Sequence, residues 1–190
     1  ADDRGQLLSD AVACAVMADL ALRAKPGSAL AVPVNQSSVF DRIAERHRGH
    51  VVRTQVDTAS LMQVASSSTP VLAADGAGAF IFPDFQPVPD ALMAVIRLLQ
   101  YLAIHDTRLS DVIASLPPFH VFSNVVQCSW ENKGAVMRLL NERFADAQVQ
   151  TIDGVKVFLN PGEWVLIRPD PDRPMFHVTA ESSLMQRAQT

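Results

Sequence analysis

The sequence predicts an α/β protein in two parts: a three-layer α/β/α domain over residues 1–108, and a smaller α+β domain over 119–190. The second is expected to be an antiparallel sheet with one or two helices, joined to the first by a linker or hinge at 109–118. Three observations point there. Ala29–Val34 is a short apolar run, an amphipathic segment starts at Val39, and His50–Thr54 is strand-like again, the outline of a βαβ unit. The Leu7–Ala24 segment is apolar around nearly its whole circumference, as a helix buried between layers must be. After Leu116-Pro117-Pro118 the pattern changes to short strand-like runs separated by the turns Asp153-Gly154 and Asn160-Pro161-Gly162.

Taken in order, the first helix has Ser9 as a candidate cap and Lys25-Pro26-Gly27 as its stop. Ala29–Val34 reads as a buried parallel strand in spite of Pro33. Asn35 to Ser38 lead into a helix whose inner face is Val39, Phe40, Ile43, Ala44 and His47, and Gly49 ends it. Ala59–Ala65 is a weak helix followed by a polar break at Ser66–Thr69. Val71–Ala74 and Ala79–Phe82 flank the turn Asp75-Gly76-Ala77-Gly78 and read as a hairpin. A long helix from about Pro89 to Ile104 would face the core with Leu92, Val95, Leu98, Leu99 and Leu102. Beyond the proline pair, His120–Ser129 is strand-like. Glu131–Phe144 is helical, with Val136, Met137, Leu140 and Phe144 inward. Gln148–Ile152, Val155–Leu159 and Trp164–Arg168 follow as strands, and Trp130 and Trp164 read as packing residues.

The bulk properties exclude several classes. A chain of 190 residues with 48% hydrophobic and 19% charged residues is long enough for real cores. A net charge of -4 disfavours non-specific nucleic-acid binding, which needs a basic stripe. No apolar run approaches the ~18 residues of a membrane span. Cys14 and Cys128 sit in apolar contexts and read as buried free thiols, which suits a reduced, cytoplasmic setting. The opening Ala-Asp-Asp-Arg-Gly-Gln is neither a signal peptide nor a lipidation site, and the chain reads as a piece of a longer one.

The stretch Ile167–Glu181 has the frame of a phosphate-binding turn. Arg168-Pro169 opens it, Pro174 closes it, and Met175, Phe176 and Val178 lead on to Glu181. Its interior is Asp170, Pro171 and Asp172, where a phosphate would want N–H groups, hydroxyls and cations. Two carboxylates repel a phosphate and Pro171 has no N–H. Arg168 can therefore be read as a phosphate clamp or as the partner of Asp170 or Asp172. The glycines of Asp75–Gly78 are explained by a tight hairpin that needs no ligand, and Asn35 to Ser38, which could cradle an anion at a helix N-terminus, by plain helix capping.

In this order, these segments resemble the C-terminal half, domains three and four, of the α-D-phosphohexomutases, the phosphomannomutase and phosphoglucomutase family. The opening D-D-R-G-Q-L-L-S-D-A resembles the family's D-x-x-G-x-x-L passage into domain three. A-D-G-A-G resembles its sugar-recognition loop G-E-x-S-G. T-I-D-G-V-K-V-F with W-V-L-I-R-P…P…E resembles the domain-four signature ending R-P-S-G-T-E-P. The resemblance implies substrate-binding roles for Asp75, Gly76, Ala77, Gly78, Lys156, Arg168, Asp170, Asp172 and Arg173. It also implies a hinge at Leu116–Phe119.

The departures fall on those positions. Asp75 replaces a Glu and Ala77 a Ser. Asp170, Pro171 and Asp172 replace Ser, Gly and Thr, and Arg173 replaces a Glu. Asp57-Thr58-Ala59 stands where the family has a Gly-x-Lys. The catalytic serine and the Asp triplet that binds magnesium belong to the family's first two domains, so no cofactor is expected within this chain, and Mg2+ only in those domains if the protein is active. The resemblance implies a catalytically degenerate module that senses a sugar phosphate or serves structurally, of the kind that follows a nucleotidyltransferase domain in mannose-1-phosphate guanylyltransferases. The alternative is the C-terminal half of a working phosphomannomutase or phosphoglucomutase. Expected partners are a hexose phosphate (mannose or glucose 1- or 6-phosphate), the N-terminal domains, and a second copy in a homo-oligomer, with no nucleic acid and no membrane.

Overall fold

The computed structural model describes residues 1–182, which fall in two compact units, Ala1–Pro117 and the described residues from Pro118 onward. In the first unit α1 (Asp10–Ala24) is capped by Ser9, whose hydroxyl accepts the Val12 N–H at 3.4 Å. Every residue from Cys14 to Leu22 is buried, including Asp19, because α1 packs against α2, α4, α5 and β3 at once. Asp19 is tolerated there because His47 Nε2 lies 2.9 Å from its carboxylate and Arg46 3.7 Å.

The sheet of this unit runs β2-β1-β3-β4. The strand β1 (Ala29–Pro33) pairs in parallel with β2 (His50–Thr54) on one side and β3 (Leu72–Ala74) on the other, and β4 (Phe80–Ile81) returns antiparallel to β3. Between β1 and β2 lies α2 (Val39–Arg46), with Val39, Phe40, Ile43 and Ala44 buried. The helix α3 (Thr58–Ser68) packs Leu61 and Ala65 on Ala31, Ala73 and Ile81. It runs through the serines expected to break it. The hydroxyls of Ser66, Ser67 and Ser68 donate to the carbonyls of Met62, Gln63 and Val64, four residues back, and Thr69 ends the helix in the left-handed conformation.

One helix departs from expectation. In α4 (Ala91–Ile104) the buried residues are Ala94 and Tyr101, whereas Leu92, Val95 and Leu99 are 73%, 55% and 61% exposed. The helix packs on α1, and of the expected core positions only Leu98 and Leu102 are half-buried. The short helix expected before Leu116-Pro117-Pro118 is α5 (Leu109–Ser115); it buries Ser110 and Val112 and packs on α1, so these residues belong to the first unit and not to a linker. The Asp3 carboxylate accepts the Ser110 N–H at 2.8 Å and its hydroxyl at 3.0 Å.

The second unit is a five-stranded antiparallel sheet, β5-β9-β8-β7-β6, formed by β5 (His120–Gln127), β6 (Val149–Gln150), β7 (Val155–Asn160), β8 (Glu163–Pro169) and β9 (Met175–Ser182). Its helix α6 (Trp130–Arg143) turns Val136, Met137 and Leu140 inward, but none is fully buried, and Phe144 after it is half-buried too. Trp164 is 1% exposed, as a packing residue should be. Trp130 is 51% exposed instead, with the Lys133 ammonium 3.9 Å over its ring. Among the described residues no helix is long and apolar enough to cross a membrane.

Candidate functional site

In the first unit the chain doubles back at the carboxyl ends of β1 and β3. The connection leaving β1 leads to β2 on one side, and the next crossover returns to β3 on the other. The loop after β1 and the turn after β3 therefore flank a switch in strand order, the place where open α/β sheets take ligands. The turn is Asp75–Gly78. The Asp75 carboxylate points back into it, and Oδ1 accepts the N–H groups of Ala77 at 2.8 Å and Ala79 at 2.9 Å. Gly76 and Gly78 have φ of 74° and 110°. A Cβ on Gly76 would run into the Gln36 side chain, so only glycine fits.

Gln36 lies in the Asn35 to Ser38 stretch read as helix capping, and its tie to the turn was not foreseen. Its Nε2 donates to the Asp75 carbonyl at 2.8 Å, tying the loop after β1 to the turn after β3. That loop is held by Arg53, whose guanidinium donates to the carbonyls of Gln36 at 2.8 Å and Ser37 at 3.1 Å and to Asp41 at 2.5 Å. Below the turn, burial pushes the Cys14 thiol up to about 12, with the Asp75 charge adding to the shift and the Gly76 N–H opposing it. Ser38 makes no side-chain cap; it is Ser37 whose hydroxyl accepts the Val39 N–H. At Asp57-Thr58-Ala59, Asp57 caps α3 by accepting from Ser60 N at 2.7 Å, so that place is spent on starting a helix.

In the second unit the turn between β8 and β9 holds Asp170, Asp172 and Arg173. Asp170 Oδ1 accepts the N–H groups of Asp172 at 2.9 Å and Arg173 at 2.8 Å, and Oδ2 lies 2.7 Å from His177 Nε2. These bonds, led by that from His177, hold the Asp170 carboxyl at about 2. The Lys133 ammonium, from the first turn of α6, donates to the Asp170 carbonyl at 2.5 Å and to the Arg173 carbonyl. The side chains of Asp172 and Arg173 are exposed.

Arg168 pairs with neither acid of the turn. Its Nε lies 3.8 Å from Asp153 Oδ2, one position before Gly154, whose φ of 83° and missing Cβ let the backbone approach Arg168. Strand alternation puts Lys156 on the same sheet face as Arg168. Lys156 itself is 3% exposed, with its ammonium 3.6 Å over the Trp164 ring, and Trp164 Nε1 donates to Glu181 at 2.5 Å. A cation enclosed this way serves the interior of the sheet. Lys133 and His177 were not singled out from sequence. His177 was legible by alternation with Arg168, whereas Lys133 lies about forty positions from the carbonyls it binds. Among the described residues no three His, Cys, Asp or Glu side chains converge as a metal-binding group.

A mostly parallel sheet with a glycine turn at its strand-order switch is followed by an antiparallel sheet with an Arg-Pro turn, a two-unit α/β architecture. Residues 9–119 match the family model for phosphoglucomutase/phosphomannomutase alpha/beta/alpha domain III, and the chain belongs to that family. It is 33% identical over 165 residues to a probable phosphoglucosamine mutase of Methanopyrus kandleri, covering 86% of this chain and 36% of that protein. With the probable phosphoglucosamine mutase of Methanothermobacter thermautotrophicus the identity is 26% over 192 residues, covering 98% and 41%. Among solved structures, a phosphoglucomutase/phosphomannomutase family protein from Burkholderia thailandensis superposes with a TM-score of 0.78 at 20% identity, over 97% of this chain and 40% of that one. The N-acetylphosphoglucosamine mutase of Aspergillus fumigatus, solved with GlcNAc-6P and magnesium, gives 0.60 at 12% identity, over 95% and 44%. The chain spans about two fifths of the length of the curated relatives it matches.

Proposed function

We propose that this chain is the C-terminal part, domains three and four, of a phosphohexomutase-like protein in which these domains no longer support catalysis. In this reading they form a sugar-phosphate-sensing or structural module, and the host is a mannose-1-phosphate guanylyltransferase-type protein. One observation carries the reading: in both candidate turns the leading carboxylate faces its own loop. Asp75 is bonded by Ala77 and Ala79, and Asp170 by Asp172 and Arg173. Groups whose hydrogen bonds are consumed within their own turn do not position a substrate, and phosphoryl transfer depends on positioning. Ala77 supplies no hydroxyl in their place.

A second reading, the C-terminal half of a working phosphohexomutase, draws support from Arg168, which remains partly accessible, and from the 33% identity to a probable phosphoglucosamine mutase. Calorimetric titration of the full-length protein with mannose 1-phosphate and glucose 1-phosphate in the presence of magnesium, beside Arg168→Ala, separates the two. No interconversion of 1- and 6-phosphates is expected, and any binding should be indifferent to Arg168→Ala. Stereospecific binding abolished by Arg168→Ala, with turnover to the 6-phosphate, overturns the reading.

A further inference from the structure

We propose that Asp170 is a built-in anion: its carboxylate occupies the seat that the β8–β9 turn would offer to a phosphate, and removing it opens that seat. The inference rests on reading this turn as a phosphate loop that has lost its ligand. The Asp75 carboxylate caps its own turn through one oxygen, which takes two N–H groups. Asp170 is engaged at both oxygens. Oδ1 takes the two N–H groups of Asp172 and Arg173, and Oδ2 takes His177 Nε2 at 2.7 Å, leaving the side chain 13% exposed.

The surroundings are those of an anion site. Pro171 has no N–H, so the donors of the turn are those two amides. The Lys133 ammonium reaches the carbonyls of both Asp170 and Arg173, bringing a positive charge against the turn from α6. Two backbone donors and an imidazole thus converge where one negative group sits, with the Lys133 ammonium on the carbonyls of the same turn, and that negative group is part of the chain. A tethered carboxylate competes with a free anion at high effective concentration, so phosphate is kept out.

The test is titration of the full chain with inorganic phosphate, followed by the backbone amide resonances of Asp172 and Arg173, for the parent, Asp170→Ala and Asp170→Ser. The parent amides should not respond. In Asp170→Ala they should shift with an affinity at least about tenfold above any parent response, and adding Lys133→Gln should weaken it. Asp170→Ser, whose hydroxyl can still accept a loop N–H, carries the test if the alanine variant loses the turn. A folded variant whose amides ignore phosphate overturns the inference and leaves the degenerate-module reading standing. A parent that already binds phosphate at these two amides overturns both.

Discussion

At the scale of single residues, Asp170 makes the sharpest claim about pH. Its carboxyl is held at about 2 against an ordinary 3.8, so its contribution to stability is full above 3.8 and is lost as the pH falls toward 2. Asp170→Asn should therefore lower the urea midpoint at pH 5, and the gap to the parent should close by pH 2. A gap that stays constant across that window would remove the carboxylate from the account. Gly76 is tested by a pair. Gly76→Ala should cost about 1–2 kcal/mol from left-handed strain alone, and more where the new methyl meets Gln36. Gln36→Ala in the same chain should recover the steric part, so denaturation of the two singles and the double must reveal coupling. Cys14 is fully buried with its thiol raised to about 12, whereas Cys128 is only half-buried. Iodoacetamide on the native chain should label Cys128 first, read by peptide mass, and early labelling of Cys14 would contradict its burial.

At the scale of elements, α4 shows what an apolar pattern cannot reveal. Its leucines repeat at helical spacing, yet Leu92 and Leu99 are exposed while Ala94 and Tyr101 are buried. The pattern marks a helix with more than one apolar stripe, and choosing the inward one depends on which partner has room. Thermal melts of the chain should show Leu99→Ala within about 0.5 kcal/mol of the parent, while Leu20→Ala in α1 costs about 2–5 kcal/mol. Equal losses would restore Leu99 to the core. Most strands were legible because alternation, glycine turns and proline stops act locally. The extra turn of α3 was not, because the serines that usually compete with a helix here bond back into it. The site divides the same way. Asp75–Gly78 and Arg168–Arg173 could be read from turn chemistry and resemblance. Gln36, Lys133 and the Arg168–Asp153 pair required contacts between residues far apart in the chain.

At the scale of the whole molecule, each unit has its own sheet and its own buried residues, so residues 1–117 should unfold cooperatively when produced alone, as a domain does. A broad, non-cooperative melt of that fragment would show that the division does not mark a folding unit. The bond from Asp3 to Ser110 carries this further. A carboxylate in the segment before α1 accepts from the first turn of α5, 107 positions later. The two ends of this stretch are thus stitched together, and the polypeptide describes a closed circuit. Such a unit can be re-cut: joining its ends by a short glycine-serine bridge and opening the chain at an exposed bend would leave every internal strand pairing as it is. The same closure lets the unit enter and leave a longer polypeptide through one narrow doorway, as an inserted cassette does.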